Sequence, residues 1–456
     1  MTTVNTKMTA LAAVEFMLAV AAALAGTFVR FGGDWPRLTD GWALWPRWIA
    51  FGVAIVLALT AMGLYQGRQR LTIEGVLSRL LVGLGLAGFG LALIYFVLPP
   101  LALWRGWWLL SFGFATLFLV GSRIAFLRLV DQDVFRRRVV IYGAGRAARS
   151  LLQLRRRSDQ RGFRVVAFLP APDESDVIDD PRVDTSSGTL SDLACKHDAE
   201  EIVIAMDDRR RGFPIGELLA CKLRGVDVVD ILTFLERESG KVKLDLMNPS
   251  WLIFANGFSL GGRTAGLHRA LDLVVSIAML VVTSPVTLLT AIAILIEDGR
   301  PIFYRQTRVG MLGREFELLK FRSMAKDAEA DGAQWAQRDD PRVTRVGRIT
   351  RKLRIDELPQ LLNIIKGDMR LIGPRPERPE FVQTLSEIIP FYRQRHSVKP
   401  GITGWAQINY KYGETIDDAI VKLEYDLYYI KNLTLSLDMY IIFHTLKAML
   451  VEQSGQ

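Results

Sequence analysis

The chain has 456 residues, half of them apolar, with a formal net charge of +9. That length has room for about three units of ordinary domain size. Two cysteines, Cys195 and Cys221, exclude a disulfide scaffold and any cysteine-based zinc spacing, and are expected as free thiols. No segment has the form of a nucleic-acid module, so the positive charge is read as suiting work beside anionic lipid, with no nucleic-acid partner.

The apolar residues are unevenly spread. Four long runs crowd the first 130 residues: Leu11–Val29, Trp48–Tyr65, Leu80–Leu98 and Trp107–Phe126. Each approaches the ~20 residues that a membrane helix needs. Three further runs follow the first, so it is not read as a cleaved signal. Glu15 lies inside it, where a buried partner or an interfacial position would account for an acid. Basic residues mark the orientation. Arg68, Arg70 and Arg79 flank the second connection, and Arg123, Arg128 and Arg136 to Arg138 follow the fourth run. The positive-inside rule places the N-terminus and everything after Arg128 in the cytoplasm.

Residues 136–260 read as a small parallel α/β domain of Rossmann type. Val139 to Tyr142 run as a strand into Gly143-Ala144-Gly145-Arg146-Ala147-Ala148, a G-x-G-x-x-A turn that opens a helix. Further strands are expected at Val165–Leu169, Glu201–Ala205 and Val226–Ile231, with a helix over Ile215–Leu223. The acid that would hold a ribose hydroxyl at the end of the second strand is missing. Pro170-Ala171-Pro172 follows Leu169, and Asp173 comes late. Gly143, Gly145 and Ala148 equally serve tight strand–helix packing, so a bound dinucleotide is not expected.

A fifth apolar run, Leu273–Ile296, is long enough to span a membrane. Arg263 and Arg269 precede it, and Arg300, Arg305 and Arg308 follow, so charge alone puts both ends on one side. Ser284-Pro285 stands at its centre. Proline removes a helix hydrogen bond, and Ser284 is placed to satisfy the carbonyl that this frees.

Five arginines then recur every third residue, Arg342, Arg345, Arg348, Arg351 and Arg354, as a solvated basic surface or a phosphate site. Asp356 and Glu357 follow at the head of an expected helix that carries Leu358, Leu361, Leu362 and Ile365. Pro359 suits its first turn and Gly367 its end. The helix dipole would favour the ionised acids. Such a pair serves as a nucleophile, as a site for a hard divalent cation, or merely as a helix cap. Arg375, between Pro374 and Pro376, is held by a rigid backbone.

From about Arg269 to Leu437 the chain resembles the bacterial sugar transferases of the polyprenyl-phosphate hexose-1-phosphate transferase, or monotopic phosphoglycosyl transferase, type. The likeness rests on Tyr304-Arg305-Gln306-Thr307-Arg308-Val309-Gly310, Leu319-Lys320-Phe321-Arg322-Ser323-Met324, and Asp340 to Thr344. It continues through Asp356 to Leu361, Lys366 to Met369, Gly373 to Glu377 and Lys399 to Gln407. The four spans and the α/β unit resemble the long form. Phe234 to Asp245 is similar to a subgroup tied to exopolysaccharide loci with the PEP-CTERM sorting system.

The resemblance implies a membrane protein of α and α/β class: four transmembrane helices, a Rossmann-like domain, then a mainly helical catalytic domain, 263–456, on a re-entrant membrane helix, 271–297. It implies transfer of a sugar 1-phosphate from a UDP-sugar to polyprenyl (undecaprenyl) phosphate at the inner membrane, with release of UMP. Asp356 is then the nucleophile, Glu357 its partner at a Mg2+ (or Mn2+) site, and Arg375 a ligand of the nucleotide phosphates. Lys320, Arg322 and Arg354 are further phosphate ligands, and Ser284 and Pro285 form the membrane kink. Inner-membrane lipid is a partner, and a homodimer is compatible with this reading. Ile408-Asn409-Tyr410-Lys411 leaves the sugar open. Two other readings are an oxidoreductase or dehydratase built on the Gly143–Ala148 turn, without a Tyr-x-x-x-Lys pair, and a nucleotide-gated membrane receptor.

Overall fold

The computed structural model describes every residue except 1, 33–43, 66–72, 100–104, 130–135, 153–161, 173, 175–176, 187, 209–211, 248–256, 258–262, 326–340, 411–414 and 452–456. Arg68, Arg70, Asp173, Asp340 and Lys411 thus lie outside the described residues. Two compact units meet in sequence at Phe234/Leu235.

The first unit opens with four apolar helices, α1 (Thr2–Phe31), α2 (Trp45–Ala61), α3 (Ile73–Val97) and α4 (Arg105–Leu129). α1 packs on α2 and α4, and α3 on both of those. Glu15 is buried against Arg123 at 2.6 Å and accepts from the Tyr65 hydroxyl at 2.6 Å. The expected buried partner is therefore a paired cation, the arrangement that makes an acid tolerable among apolar helices.

The same unit contains β1 (Arg137–Tyr142), α5 (Arg146–Leu152), β2 (Phe163–Leu169), α6 (Leu190–Lys196), β3 (Glu201–Ile204), α7 (Ile215–Leu223) and β4 (Asp227–Asp230). The strands form one parallel sheet in the order β2-β1-β3-β4. β3 is buried along its length, and Val140, Ala167, Ile202, Leu218 and Cys221 share its core. Cys195 and Cys221 are free thiols.

The second unit begins inside α8 (Ile231–Ser239), continues through a strap to Leu246, and contains the long α9 (Arg263–Asp298). Next come an antiparallel pair, β5 (Phe303–Val309) and β6 (Glu315–Phe321), then α10 (Arg345–Lys352), a 3-10 turn at Ile355–Glu357 and α11 (Gln360–Lys366). β7 (Arg370–Ile372) pairs in parallel with β8 (Gly401–Thr403). Helices α12 (Pro379–Ile388), α13 (Trp405–Asn409), α14 (Ile416–Lys431) and α15 (Leu435–Val451) complete it.

α9 has 36 residues with Pro285 inside, so it is about 54 Å long against a hydrocarbon layer of about 30 Å. It is one continuous helix, where an interruption at Ser284-Pro285 was expected. Pro285 has no N–H for the Val281 carbonyl, and the Ser284 hydroxyl donates to that carbonyl at 2.7 Å. The helix survives its proline because serine supplies the missing donor. His268, Asp272 and Ser276 are buried near one end, and Thr290 and Ile294 near the other. Nothing from 277 to 289 is buried. Both ends dock on the rest of this unit. Asp272 pairs with Arg370 at 3.0 Å and His268 with Asp438 at 2.8 Å. At the other end Glu297 accepts from the N–H groups of Arg345 and Val346, which start α10.

Candidate active site

Asp356 and Glu357 sit on the 3-10 turn ahead of α11, not on the helix itself. Arg354 enters that turn with φ 57°, a left-handed conformation that reverses the chain after α10. α11 begins after Pro359 and stops at Gly367, whose φ of 99° suits glycine, as its spacing predicts. Leu361 and Ile364 are buried and Leu362 is exposed, so the core face is narrower than the apolar pattern. Asn363 locks α11 to β6, accepting from Leu319 N–H at 3.0 Å and donating to the Glu317 carbonyl at 2.7 Å. This fixes Lys320, one residue on, relative to the acids.

The Gly373–Pro376 turn reaches the acids from β7. Gly401 N–H donates to the Pro374 carbonyl at 3.0 Å, and Gly373 N–H to the Thr403 carbonyl at 2.9 Å. A side chain on Gly401 would strike the Gly373 backbone, so these two segments touch only because both residues are glycine.

Three cations converge on Glu357 Oε1: Arg375 at 3.0 Å, Lys320 at 3.6 Å and Arg354 at 3.7 Å. Burial pushes the Glu357 carboxyl up, but Arg375, Lys320 and Arg354 outweigh it and bring it to about 2. Asp356 differs. It is 8% exposed, and its Oδ1 is buried without a hydrogen-bond partner among the described residues. Burial, and then the Glu357 charge, raise its pKa above the usual aspartate value, against the effect expected from the helix dipole. The seven-residue α11 is too short, and the burial too deep, for the dipole to prevail. Burial also lowers the Lys320 amine.

Beside the acids, the turn, the head of α11, β8 and the β5–β6 pair border an open cleft lined by Arg308, Leu318, Lys320, Gln360, Arg375, Pro376 and Gly401. Lys320, Arg354 and Arg375 thus gather around Glu357, with Pro374 and Pro376 flanking Arg375 in its turn. Arg322 does not join them. It pairs with Asp298 at 2.9 Å and donates to the Asp298 and Gly299 carbonyls, closing the C-terminal end of α9. Arg269 does the same for α11 through the carbonyls of Ile364 and Ile365. Arg308 enters the sequence reading as a basic flank and as part of the Tyr304–Gly310 motif, with no role at the site, yet it lines the cleft. Its Nε is buried without a partner, and burial lowers its pKa. Alternation along the hairpin would have placed it: Tyr304 pairs with Lys320 and Gln306 with Leu318, so Arg308 shares the face of those two cleft residues.

The Gly143–Ala148 turn is closed by its own unit. Asp207 accepts from the Arg146 and Ala147 N–H groups at 2.9 and 2.8 Å, and Glu174 from Ala144 N–H at 2.7 Å. The Asp207 carboxylate also occupies the space over Gly145. Those are the donors a pyrophosphate would use.

Residues 263–452 match the family model of the bacterial sugar transferases. A UDP-glucose:undecaprenyl-phosphate glucose-1-phosphate transferase of Xanthomonas campestris pv. campestris is 30% identical over 432 residues, 88% of this chain and 86% of that protein. This chain belongs to the bacterial sugar transferase family. A UDP-N-acetylgalactosamine-undecaprenyl-phosphate N-acetylgalactosaminephosphotransferase of Aeromonas hydrophila is 44% identical over 234 residues, 51% of this chain. An undecaprenyl-phosphate glucose phosphotransferase of Komagataeibacter xylinus is 35% identical over 351 residues, 74% of this chain. The chain spans 54% and 64% of the lengths of those last two relatives. These sugar phosphotransferases lend no support to the oxidoreductase or receptor readings.

Proposed function

We propose that the chain transfers a sugar 1-phosphate from a UDP-sugar to a polyprenyl phosphate, releasing UMP, as the first step of assembling a glycan. The carrying observation is the pair of unequal acids. Glu357 is held ionised by three cations, while the adjacent Asp356 presents a buried oxygen that no described residue satisfies. An unpaired buried acceptor costs about 1–3 kcal/mol, so the arrangement makes sense as half of a contact that substrate completes.

In this reading the Asp356 carboxylate attacks the sugar-bearing phosphorus of the donor. The bond between that phosphorus and the bridging oxygen breaks, and UMP leaves. An oxygen of the polyprenyl phosphate then attacks the same phosphorus, the Asp356–phosphorus bond breaks, and the carboxylate is restored. Arg375, Lys320, Arg354 and Arg308 neutralise the phosphate oxygens, so catalysis is mainly positioning and charge compensation. Among the described residues no group of three or more His, Cys, Asp or Glu converges, so a fully protein-built metal cage is absent. Two adjacent carboxylates, one with an unpartnered oxygen, still suit a hard cation that completes its shell with phosphate and water. Mg2+ (or Mn2+) on Asp356 and Glu357 would supply charge for the departing phosphate.

Among the described residues four helices are long and apolar enough to cross a membrane, α1, α3, α4 and α9, while α2, expected as a span, is an apolar helix short of that length. We read α9 as re-entrant without a break: the continuous helix dips its unburied middle, about Ser284-Pro285, into the inner leaflet and keeps both ends on one side, leaving the acids on the cytoplasmic face of the bacterial inner membrane. Docking of both its ends on one unit and the unburied stretch 277–289 support this. A cysteine replacing Gly266 or Gly310, with Cys195 and Cys221 removed, should resist an impermeant thiol reagent outside intact cells. External labelling of the Gly310→Cys protein would make α9 a true span.

The deciding assay gives purified protein undecaprenyl phosphate, Mg2+ and a panel of UDP-sugars, including UDP-glucose and UDP-N-acetylgalactosamine. UMP release with at least one donor is expected, and donor alone should leave a phosphosugar adduct on Asp356 by mass spectrometry. No release with any donor rejects the function, and an adduct elsewhere moves the nucleophile.

A further inference from the structure

The Pro374-Arg375-Pro376 turn is held from behind. Arg395 lies in a 3-10 stretch, Tyr392–Ser397, and is 5% exposed. Its Nε and Nη2 donate to Asp426 Oδ2 at 3.1 and 2.9 Å, and its Nη1 to the Tyr392 hydroxyl at 2.9 Å. Nη2 also donates to the main-chain carbonyl of Arg375 at 3.1 Å. That carbonyl belongs to the residue whose guanidinium meets Glu357 on the opposite side. Proline rings fix φ at positions 374 and 376, so the orientation of the Arg375 peptide is the main freedom left in the turn. Fixing its carbonyl fixes the direction in which the Arg375 side chain leaves the backbone.

Asp426 is itself braced. It lies on α14, two residues after Glu424, and both are 2% exposed. Glu424 takes Lys241 at 2.8 Å, Lys243 at 3.5 Å and the Leu244 N–H at 3.3 Å, and its carbonyl accepts from Val242 N–H. The strap that leaves α8 therefore pins the helix that pins Arg395.

We propose that Arg395 is a positioning residue, which aims Arg375 at the donor's phosphates through the Arg375 carbonyl and is itself set by Asp426. It touches no substrate. The role rests on the phosphotransferase reading above. A guanidinium is needed because one planar group must serve a carboxylate, a hydroxyl and a carbonyl in three directions, which an ammonium on a flexible stem does not reproduce.

The test is a double-mutant cycle on the full chain, read as UMP release against UDP-sugar concentration beside the thermal midpoint. Arg395→Lys should raise KM for the donor and lower kcat/KM by about 30-fold, while Arg375→Lys alone lowers it comparably. If Arg395 acts through Arg375, the double variant loses less than about threefold beyond either single one. Losses that multiply, tracked by a matching fall in thermal midpoint, would reduce Arg395 to a strut and overturn the proposal. Should Arg395→Lys fail to fold, Tyr392→Phe removes a single hydroxyl from the same guanidinium. It should cost about fivefold, and again not multiply with Arg375→Lys. A wild-type protein that releases no UMP sinks the phosphotransferase reading and this role together. An active wild type with multiplying losses sinks the role alone.

Discussion

The Gly143–Ala148 turn and the Asp356–Glu357 turn each bring carboxylates to the start of a short helix, with opposite results. In the first, Asp207 and Glu174 satisfy the N–H groups that a pyrophosphate would use. There the backbone donors are taken and no cation is left over, although one Glu174 oxygen, Oε1, is also buried without a hydrogen-bond partner among the described residues. In the second, cations outnumber acids and a buried Asp356 oxygen has no partner. A Gly-rich turn after a strand is therefore a weaker sign of a nucleotide than an incomplete set of charges is of a phosphate. The motif fixes only the backbone shape, while the unmet electrostatics shows what is absent.

The strongest way to break this contrast is Asp356→Asn. The change keeps the shape and removes the negative nucleophile, so UMP release should fall by about 10³-fold or more. The thermal midpoint should hold or rise, because a buried charge is relieved. A variant that retains more than about a tenth of wild-type turnover would return Asp356 to the status of an ordinary cap.

Next in size is the loss of the strap. A fragment starting at Leu235 keeps the contacts of Glu424 and the bond from Trp405 Nε1 to the Gly240 carbonyl at 2.7 Å. It should fold and retain transfer. A fragment starting at Arg263 leaves Glu424 buried without its lysines, at about 3–5 kcal/mol. It should melt lower or fail to fold. Equal stability and activity of the two would show the strap to be dispensable and put the working boundary at Arg263.

Arg375→Lys is smaller again. It conserves charge but loses a planar contact, and should lower kcat/KM by about 10- to 100-fold. Unchanged kinetics would mean that the donor is held by Lys320, Arg354 and Arg308 without it.

The parts of the site that run contiguously in the chain were legible from sequence. Asp356, Glu357 and the Pro-Arg-Pro turn carry their chemistry in residue type and spacing, and the strands of the α/β unit in their apolar runs. What stayed hidden was set by packing between distant segments. Arg322 shares a motif with Lys320 but is drawn off by the free carbonyls at the end of α9, which no local pattern announces. Arg395 is separated from Arg375 by 20 residues and from Asp426 by 31, and its place depends on α14. The acid sought at the end of β2 is absent, but Asp207 arrives at the glycine turn from beyond β3, because β1 and β3 are neighbours in the sheet. The sequence does place Ser284 to serve the carbonyl that Pro285 frees, but only the folded chain shows that this one hydroxyl suffices to keep α9 continuous.

The smallest effect tests the closed turn. Asp207→Ala removes the acceptor of two N–H groups at the head of α5, and the loss of a cap costs about 1 kcal/mol. The thermal midpoint of the full chain should drop by a few degrees, in proportion to that cost. UMP release should stay within about twofold of wild type, because Asp207 belongs to the first unit and the residues proposed to hold the donor to the second. The exposed N–H groups also make this variant the most favourable form of the turn for a phosphate. Adding NAD or UDP to it should still produce no stabilisation, since no acid stands at the end of β2 to hold a ribose and the Glu174 carboxylate remains over Ala144. A midpoint rise of several degrees with NAD, seen in the variant and absent in wild type, would show that Asp207 is a removable plug. The α/β unit would then be a nucleotide sensor kept closed by its own side chain, and the contrast between the two turns would be one of regulation.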